Sequence, residues 1–225
     1  GLVGSEMCIR DRYMAGSDES VLLNYTKFVG AVEVADLVLR FKINKFVGTW
    51  QQVLTSVSTN LLGSGTFNSS VQANYCLLDN GNIQVINEAY NGKFELESIK
   101  GESRARSPLV PTCRAVKFEN QMFEGNYWII YISQDFSTII VSAPIILFGL
   151  VDLSDNFGLY VLTKNRDQFW ASEEPNKVFD VCKKYGFDKF WNSPVNSGAS
   201  FVIPPVACVW KNTADKKRGK KGGKK

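Results

Sequence analysis

The sequence predicts an all-β protein, an eight-stranded antiparallel up-and-down β-barrel followed by one C-terminal α-helix. Three observations carry this prediction. Eight short runs rich in β-branched and aromatic residues follow one another between residues 50 and 164. One adjacent pair is joined by a tight turn and alternates between two faces, as every barrel strand must. After the eighth run the pattern changes and the chain reads as a helix.

The first strand spans 50–56 and is followed by a loop rich in Ser, Gly and Asn over 57–70. The second and third strands, 71–78 and 83–89, flank the turn Asp79-Asn80-Gly81-Asn82, whose residues tolerate positive φ. One face of this hairpin reads Val71, Ala73, Tyr75, Leu77 and Ile83, Val85, Asn87, Ala89. Runs at 93–100, 114–118, 127–132, 138–142 and 158–164 complete the eight strands. An up-and-down meander of that number closes without leaving edges. The helix is expected over 173–185. Ser172 is its N-cap, Pro175 lies near its start, Val178, Phe179 and Cys182 form an apolar stripe, and Gly186 ends it. Ahead of the strands, 28–41 has apolar residues at mixed spacing and reads as a short helix or turn.

The 225 residues suit one barrel domain with extra segments, or two very small domains. With 44% hydrophobic residues the chain can build a core, and global disorder is excluded on composition. Residues 1–12, GLVGSEMCIRDR, resemble translated sequencing-adapter DNA and are set aside together with Cys8. On that reading the true N-terminus is missing or replaced, and the lack of a visible signal peptide carries no information. The division that follows is an N-terminal extension at 13–43, a barrel with helix and C-terminal extension at 44–210, and a disordered basic tail at 211–225.

Charge is unevenly placed. From Lys211 to Lys225 the tail holds eight basic residues and Asp215, a sum of +7, so the other 210 residues sum to −3 within the net +4. The basic pI therefore belongs to the tail, and no specific nucleic-acid binding is expected. The tail reads either as a solvated end or as a contact to an anionic membrane surface. The longest apolar stretch, 139–151, is broken by Pro144 and Gly149 and is too short to cross a bilayer.

There is no histidine, which removes histidine general acid–base catalysis, histidine-assisted nucleophiles and histidine metal sites. None of the five cysteines forms a CxxC pair, so no metal site is expected, and no cofactor. The four outside the first segment permit two disulfides in an oxidising compartment, or free thiols in the cytosol. The sequons Asn24-Tyr25-Thr26 and Asn68-Ser69-Ser70 lean toward a secreted or membrane-associated location.

Gly48-Thr49-Trp50 at the head of the first strand, followed by eight strands and one helix, resembles the lipocalins. The likeness is to the branch that holds apolipoprotein D and the bacterial outer-membrane lipocalins. It runs in order through Asn44–Trp50, Gln72-Ala73-Asn74-Tyr75, Asn80-Gly81, 83–87, Gly125-Asn126-Tyr127-Trp128-Ile129-Ile130, Tyr160–Asn165 and Gly186-Phe187-Asp188. It covers roughly 44–191. The resemblance implies a calycin barrel that binds and carries a small hydrophobic ligand such as a fatty acid, lysolipid, retinoid or tetrapyrrole. Tyr75, Val85, Asn87, Tyr160 and Leu162 would line the interior. Gly48 and Trp50 would close the base, with Lys164 or Arg166 standing for the family's arginine over the tryptophan ring. Cys113 and Cys208 would be the disulfide that joins a strand to the C-terminal segment. The family's Thr-Asp-Tyr turn is only echoed by Asp135-Phe136, 145–156 is longer than in the family, and 189–210 has no counterpart there. The resemblance leaves two alternatives open. One is an enzyme on the same barrel acting on a lipid or carotenoid, for which Glu88 and Glu95 are the strand carboxylates. The other is a membrane-associated module using the basic tail.

Overall fold

Gly48 turns the chain into the barrel. Its φ of +108° lies where L side chains rarely go, and it heads strand β1 (Gly48–Ser56). Seven more strands follow: β2 (Ser69–Leu77), β3 (Ile83–Tyr90), β4 (Leu96–Ala105), β5 (Cys113–Phe118), β6 (Gly125–Ile132), β7 (Thr138–Pro144) and β8 (Phe157–Thr163). The structure, a computed structural model, describes residues 17–57, 69–90, 95–119, 121, 124–144, 157–189 and 192–197. Each strand pairs antiparallel with the next, and β1 pairs with both β2 and β8, so the eight strands close into a barrel. The predicted fold class is the observed one.

The β2–β3 turn forms as its residues dictate. Gly81 has φ +81°, its N–H reaches the Leu78 carbonyl at 2.9 Å, and the Asn80 side chain accepts the Asn82 N–H at 2.9 Å. The register sets Ala73 opposite Asn87, Tyr75 opposite Val85 and Leu77 opposite Ile83. Trp50 lies opposite Ala73, and Ser103 opposite Ile83. The other parity carries the exposed Lys100, Glu102 and Lys117. The parity of Trp50, Tyr75 and Asn87 is therefore the interior.

Ahead of the barrel lie α1 (Asp18–Val29), α2 (Ala31–Arg40) and α3 (Ile43–Phe46). The short helix or turn expected at 28–41 is thus the end of one helix and the whole of a second. They are separated at Gly30, whose φ is +100°. Ser17 caps α1, accepting the Ser20 N–H at 3.2 Å. The fully buried Tyr25 fixes α1 to the outer wall. Its hydroxyl lies 2.7 Å from the Ile129 carbonyl, and its ring meets Trp128 edge-on at 5.7 Å. Asp18, at the helix start, accepts from both Arg104 and Arg106 at 2.6–3.0 Å, and Glu124 binds Arg104 from the other side.

After β8 come α4 (Arg166–Trp170), α5 (Glu174–Lys184) and β9 (Pro194–Asn196). The predicted C-terminal helix is α5, and Ser172 accepts its first N–H at 3.2 Å. Val178 and Cys182 are buried as expected, but Phe179 is exposed, because the helix turns that side to solvent. Helix α4 and strand β9 have no counterpart in the predicted elements. β9 pairs with β1 over Leu54–Ser56, beyond the stretch of β1 that β2 covers.

The expected bridge between Cys113 and Cys208 does not form. Cys113 is a free thiol at the start of β5, fully buried beside Thr112, which the Tyr25 hydroxyl of α1 contacts at 3.0 Å. Cys182 is also free and buried. Burial pushes the Cys113 thiol up to about 11 and the Cys182 thiol up to about 12, so both stay protonated at neutral pH. Cys76, on the outward face of β2, is disulfide-bonded, and its partner lies outside the described residues. So do residues 1–12, the loop at 145–156, Cys208 and the tail at 211–225.

Candidate binding site

The interior begins at an aromatic floor. Trp50 is fully buried and donates from Nε1 to the Phe46 carbonyl at 2.8 Å. Phe136 packs 6.3 Å from both Trp50 and Phe41. It sits at φ +62°, a rare conformation for a bulky residue, held by the turn that Asp135 organises through Ser133 and Ser137. Lys164 and Arg166 divide the work between them. Lys164 Nζ lies 5.0 Å from the Trp50 ring centroid and donates to the Lys45 carbonyl at 2.6 Å. Arg166 instead reaches the Gln52 carbonyl and, at 3.1 Å, Asn196 Oδ1 of β9.

Above this floor the wall becomes polar at one level. The Tyr75 ring stacks on Phe46 at 4.7 Å, and its hydroxyl lies 2.6 Å from that of Tyr127. Burial raises both phenols above their ordinary value, so both are neutral at physiological pH. Arg114 is paired with Tyr127 in the β5–β6 register and is 3% exposed. It donates from Nε to Ser103 Oγ at 2.9 Å, from Nη2 to the Ser103 carbonyl at 3.0 Å, and from Nη1 to the Pro111 carbonyl at 3.3 Å. A guanidinium has more N–H donors than these bonds use. Burial pulls its pKa down to about 10, which leaves it charged at neutral pH. Among the described residues no carboxylate pairs with it.

The remaining candidate residues line the same face. Val85 is buried opposite Tyr75. Asn87 lies opposite Ala73 and Ile99, and its buried Oδ1 has no hydrogen-bond partner. Tyr160 is opposite Val141 and Thr55, and the Thr55 hydroxyl is also buried without a partner. Leu162 is buried opposite Ile139. Tyr75, Val85, Asn87, Tyr160 and Leu162 therefore share one surface. Arg114 and Tyr127 belong to it and were not among the predicted lining residues. The signal for Arg114 was its parity, since it alternates with Val116 and Phe118 rather than with Lys117. Glu88 faces outward, where it accepts from Asn74 at 3.2 Å and Gln72 at 3.4 Å, and Glu95 is exposed.

A family model described as a lipocalin-like domain matches residues 41–147, which reach from the end of α2 past β7. Apolipoprotein D of Bos taurus is 29% identical over 108 residues, 48% of this chain and 54% of that protein. Apolipoprotein D of Mus musculus is 29% identical over 90 residues, 40% of this chain and 45% of that protein. The chain thus spans about half the length of the curated relatives it matches. Among solved structures, lobster apocrustacyanin A1 is similar with a TM-score of 0.53 at 12% identity, covering 75% of this chain and 86% of that one. Apocrustacyanin C1 is similar with a TM-score of 0.54 at 14% identity, over 76% and 88%. At such identities the structural likeness speaks for the fold.

Proposed function

We propose that this chain is a lipocalin whose barrel binds and carries a small hydrophobic ligand of the fatty acid, lysolipid, retinoid or tetrapyrrole kind. The observation that carries this reading is the unpartnered Oδ1 of Asn87, buried on a wall whose neighbours include Ala73, Val85 and Leu162. A buried acceptor without a donor is costly, and a bound molecule that donates or brings a water would relieve it. Tyr75, Tyr127 and Tyr160 add hydroxyls to the same apolar surface. The relatives named for carrying lipid support the same reading.

We read the site as a carrier's and not an enzyme's. The chain has no histidine, and Glu88, the carboxylate nearest the pocket in sequence, is held on the outer face. The disulfide at Cys76 supports an oxidising compartment, consistent with secretion.

Titration of tryptophan fluorescence against a panel of fatty acids, lysolipids, retinoids and bilins tests the proposal. Saturable one-to-one quenching is expected, weakened several-fold in Asn87→Leu while the circular dichroism spectrum is unchanged. A folded protein that binds no member of the panel overturns it.

A further inference from the structure

We propose that Arg114, together with the Tyr75–Tyr127 hydroxyl pair, makes the deep end of the barrel a receptor for a carboxylate, so that the ligand is an amphiphilic acid bound head-down. This rests on the carrier reading and names the chemical class of its cargo.

The argument starts from a cation in the wrong place. Arg114 is 3% exposed and points into the interior, where its parity also carries Val116 and Phe118. A buried charge is normally met by an opposite charge. The outer wall of this barrel obeys that rule. Arg106, which is also buried, has Asp18 at 2.6 Å. Among the described residues Arg114 has only neutral oxygens, those of Ser103 and Pro111, and these take three of the five N–H donors of a guanidinium.

The neighbouring groups fit a carboxylate. Tyr127 stands opposite Arg114 in register, and the Tyr127 hydroxyl meets that of Tyr75 at 2.6 Å. Between them these two hydroxyls can offer a proton to an acceptor besides the one they share. A carboxylate is acceptor-only, so guanidinium and phenol donors suit it together. A primary amine would add a second buried cation, and an ester would bring no charge to offset the first. The stack of Tyr75 on Phe46 places this level just above the floor. An acid held here directs its apolar part up the barrel, along Val85, Asn87 and Leu162.

The test compares dodecanoic acid, its methyl ester and acetate with the whole chain at neutral pH by fluorescence titration. The acid is expected to bind roughly 10- to 100-fold more tightly than the ester, as a charge-assisted hydrogen bond dictates, and acetate is expected not to bind. In Arg114→Met the ratio of acid to ester affinity should fall toward one, whatever the absolute affinities. Arg114→Lys keeps the charge without the fork and should retain part of the preference, which guards against a misfolded Met variant. Equal binding of acid and ester by the unaltered protein overturns this proposal and leaves the carrier reading standing. Failure of both to bind, with no other panel member binding, overturns the carrier reading itself.

Discussion

Arginines on the two faces of this barrel wall are treated in opposite ways. On the outer wall, Arg104 and Arg106 are held by Asp18 and Glu124, and Asn126 accepts a further bond from Arg106 at 2.8 Å. Inside, Arg114 rests on a hydroxyl and two carbonyls. The outer cluster meets each cation with a carboxylate and pins α1 to the barrel. The inner arginine has no carboxylate among the described residues. Paired charges stabilise the fold, whereas a buried charge left without a counter-ion on a concave apolar surface points to something that arrives from outside.

Four substitutions or conditions test that contrast. The largest effect is expected at the floor, which is packed and hydrogen-bonded from within. Trp50→Ala should cost about 3–5 kcal/mol in urea unfolding, because it deletes a fully buried indole, its bond to Phe46 and the Lys164 contact. A loss under 1 kcal/mol would mean that the floor is not structural. Reduction of the Cys76 disulfide should cost about 2–4 kcal/mol, read as a lower Tm in reductant, with Cys113 and Cys182 staying unreactive until unfolding.

Asp18→Ala should cost about 1–2 kcal/mol, discounted because the Asp18 side chain is 40% exposed while the Arg106 it abandons is buried. The same pair gives a pH signature. The hydrogen bond from Arg104 holds the Asp18 carboxyl below its ordinary 3.8. A lowered folded-state pKa contributes stability that is present above that value and lost as pH falls through the folded pKa. Wild type should therefore lose stability below about pH 4 more steeply than Asp18→Ala does. Arg114→Met should change stability least, by less than about 1 kcal/mol, since it trades an uncompensated buried charge for an apolar side chain of similar length. If Arg114→Met unfolds the protein as Trp50→Ala does, the inner arginine is structural and the contrast fails.

Much of the barrel was legible in sequence, for particular reasons. The 83–89 strand and its partner share a turn whose Gly81 must take positive φ, and their alternation fixes the register that puts Tyr75, Val85 and Asn87 on one face. Leu162 and Tyr160 followed from the same period. Tyr127 did not, because β6 is apolar on both parities. Ile129 faces the interior while Trp128 lies under α1, and only tertiary packing separates them. Arg114 was legible only as a parity, and an arginine at a strand start reads first as a surface residue. The cysteine assignment failed because pairing depends on which face each thiol occupies. Cys113 lies beneath α1, a helix whose packing on the barrel leaves no mark in the sequence around the cysteine. Lys164 against Arg166 could be settled only by direction, since both follow β8 and one turns to the floor while the other turns to β9.

The short β9 has a consequence for how molecules of this protein meet one another. Where β2 parts from β1, the backbone of Leu54, Thr55 and Ser56 would offer free donors and acceptors along a strand edge. Such an edge is a template for a strand from any neighbour. Pro194, Val195 and Asn196 occupy it, and Arg166 fastens them by its bond to Asn196 at 3.1 Å. These three residues cover an edge that would otherwise be open to a strand from another chain.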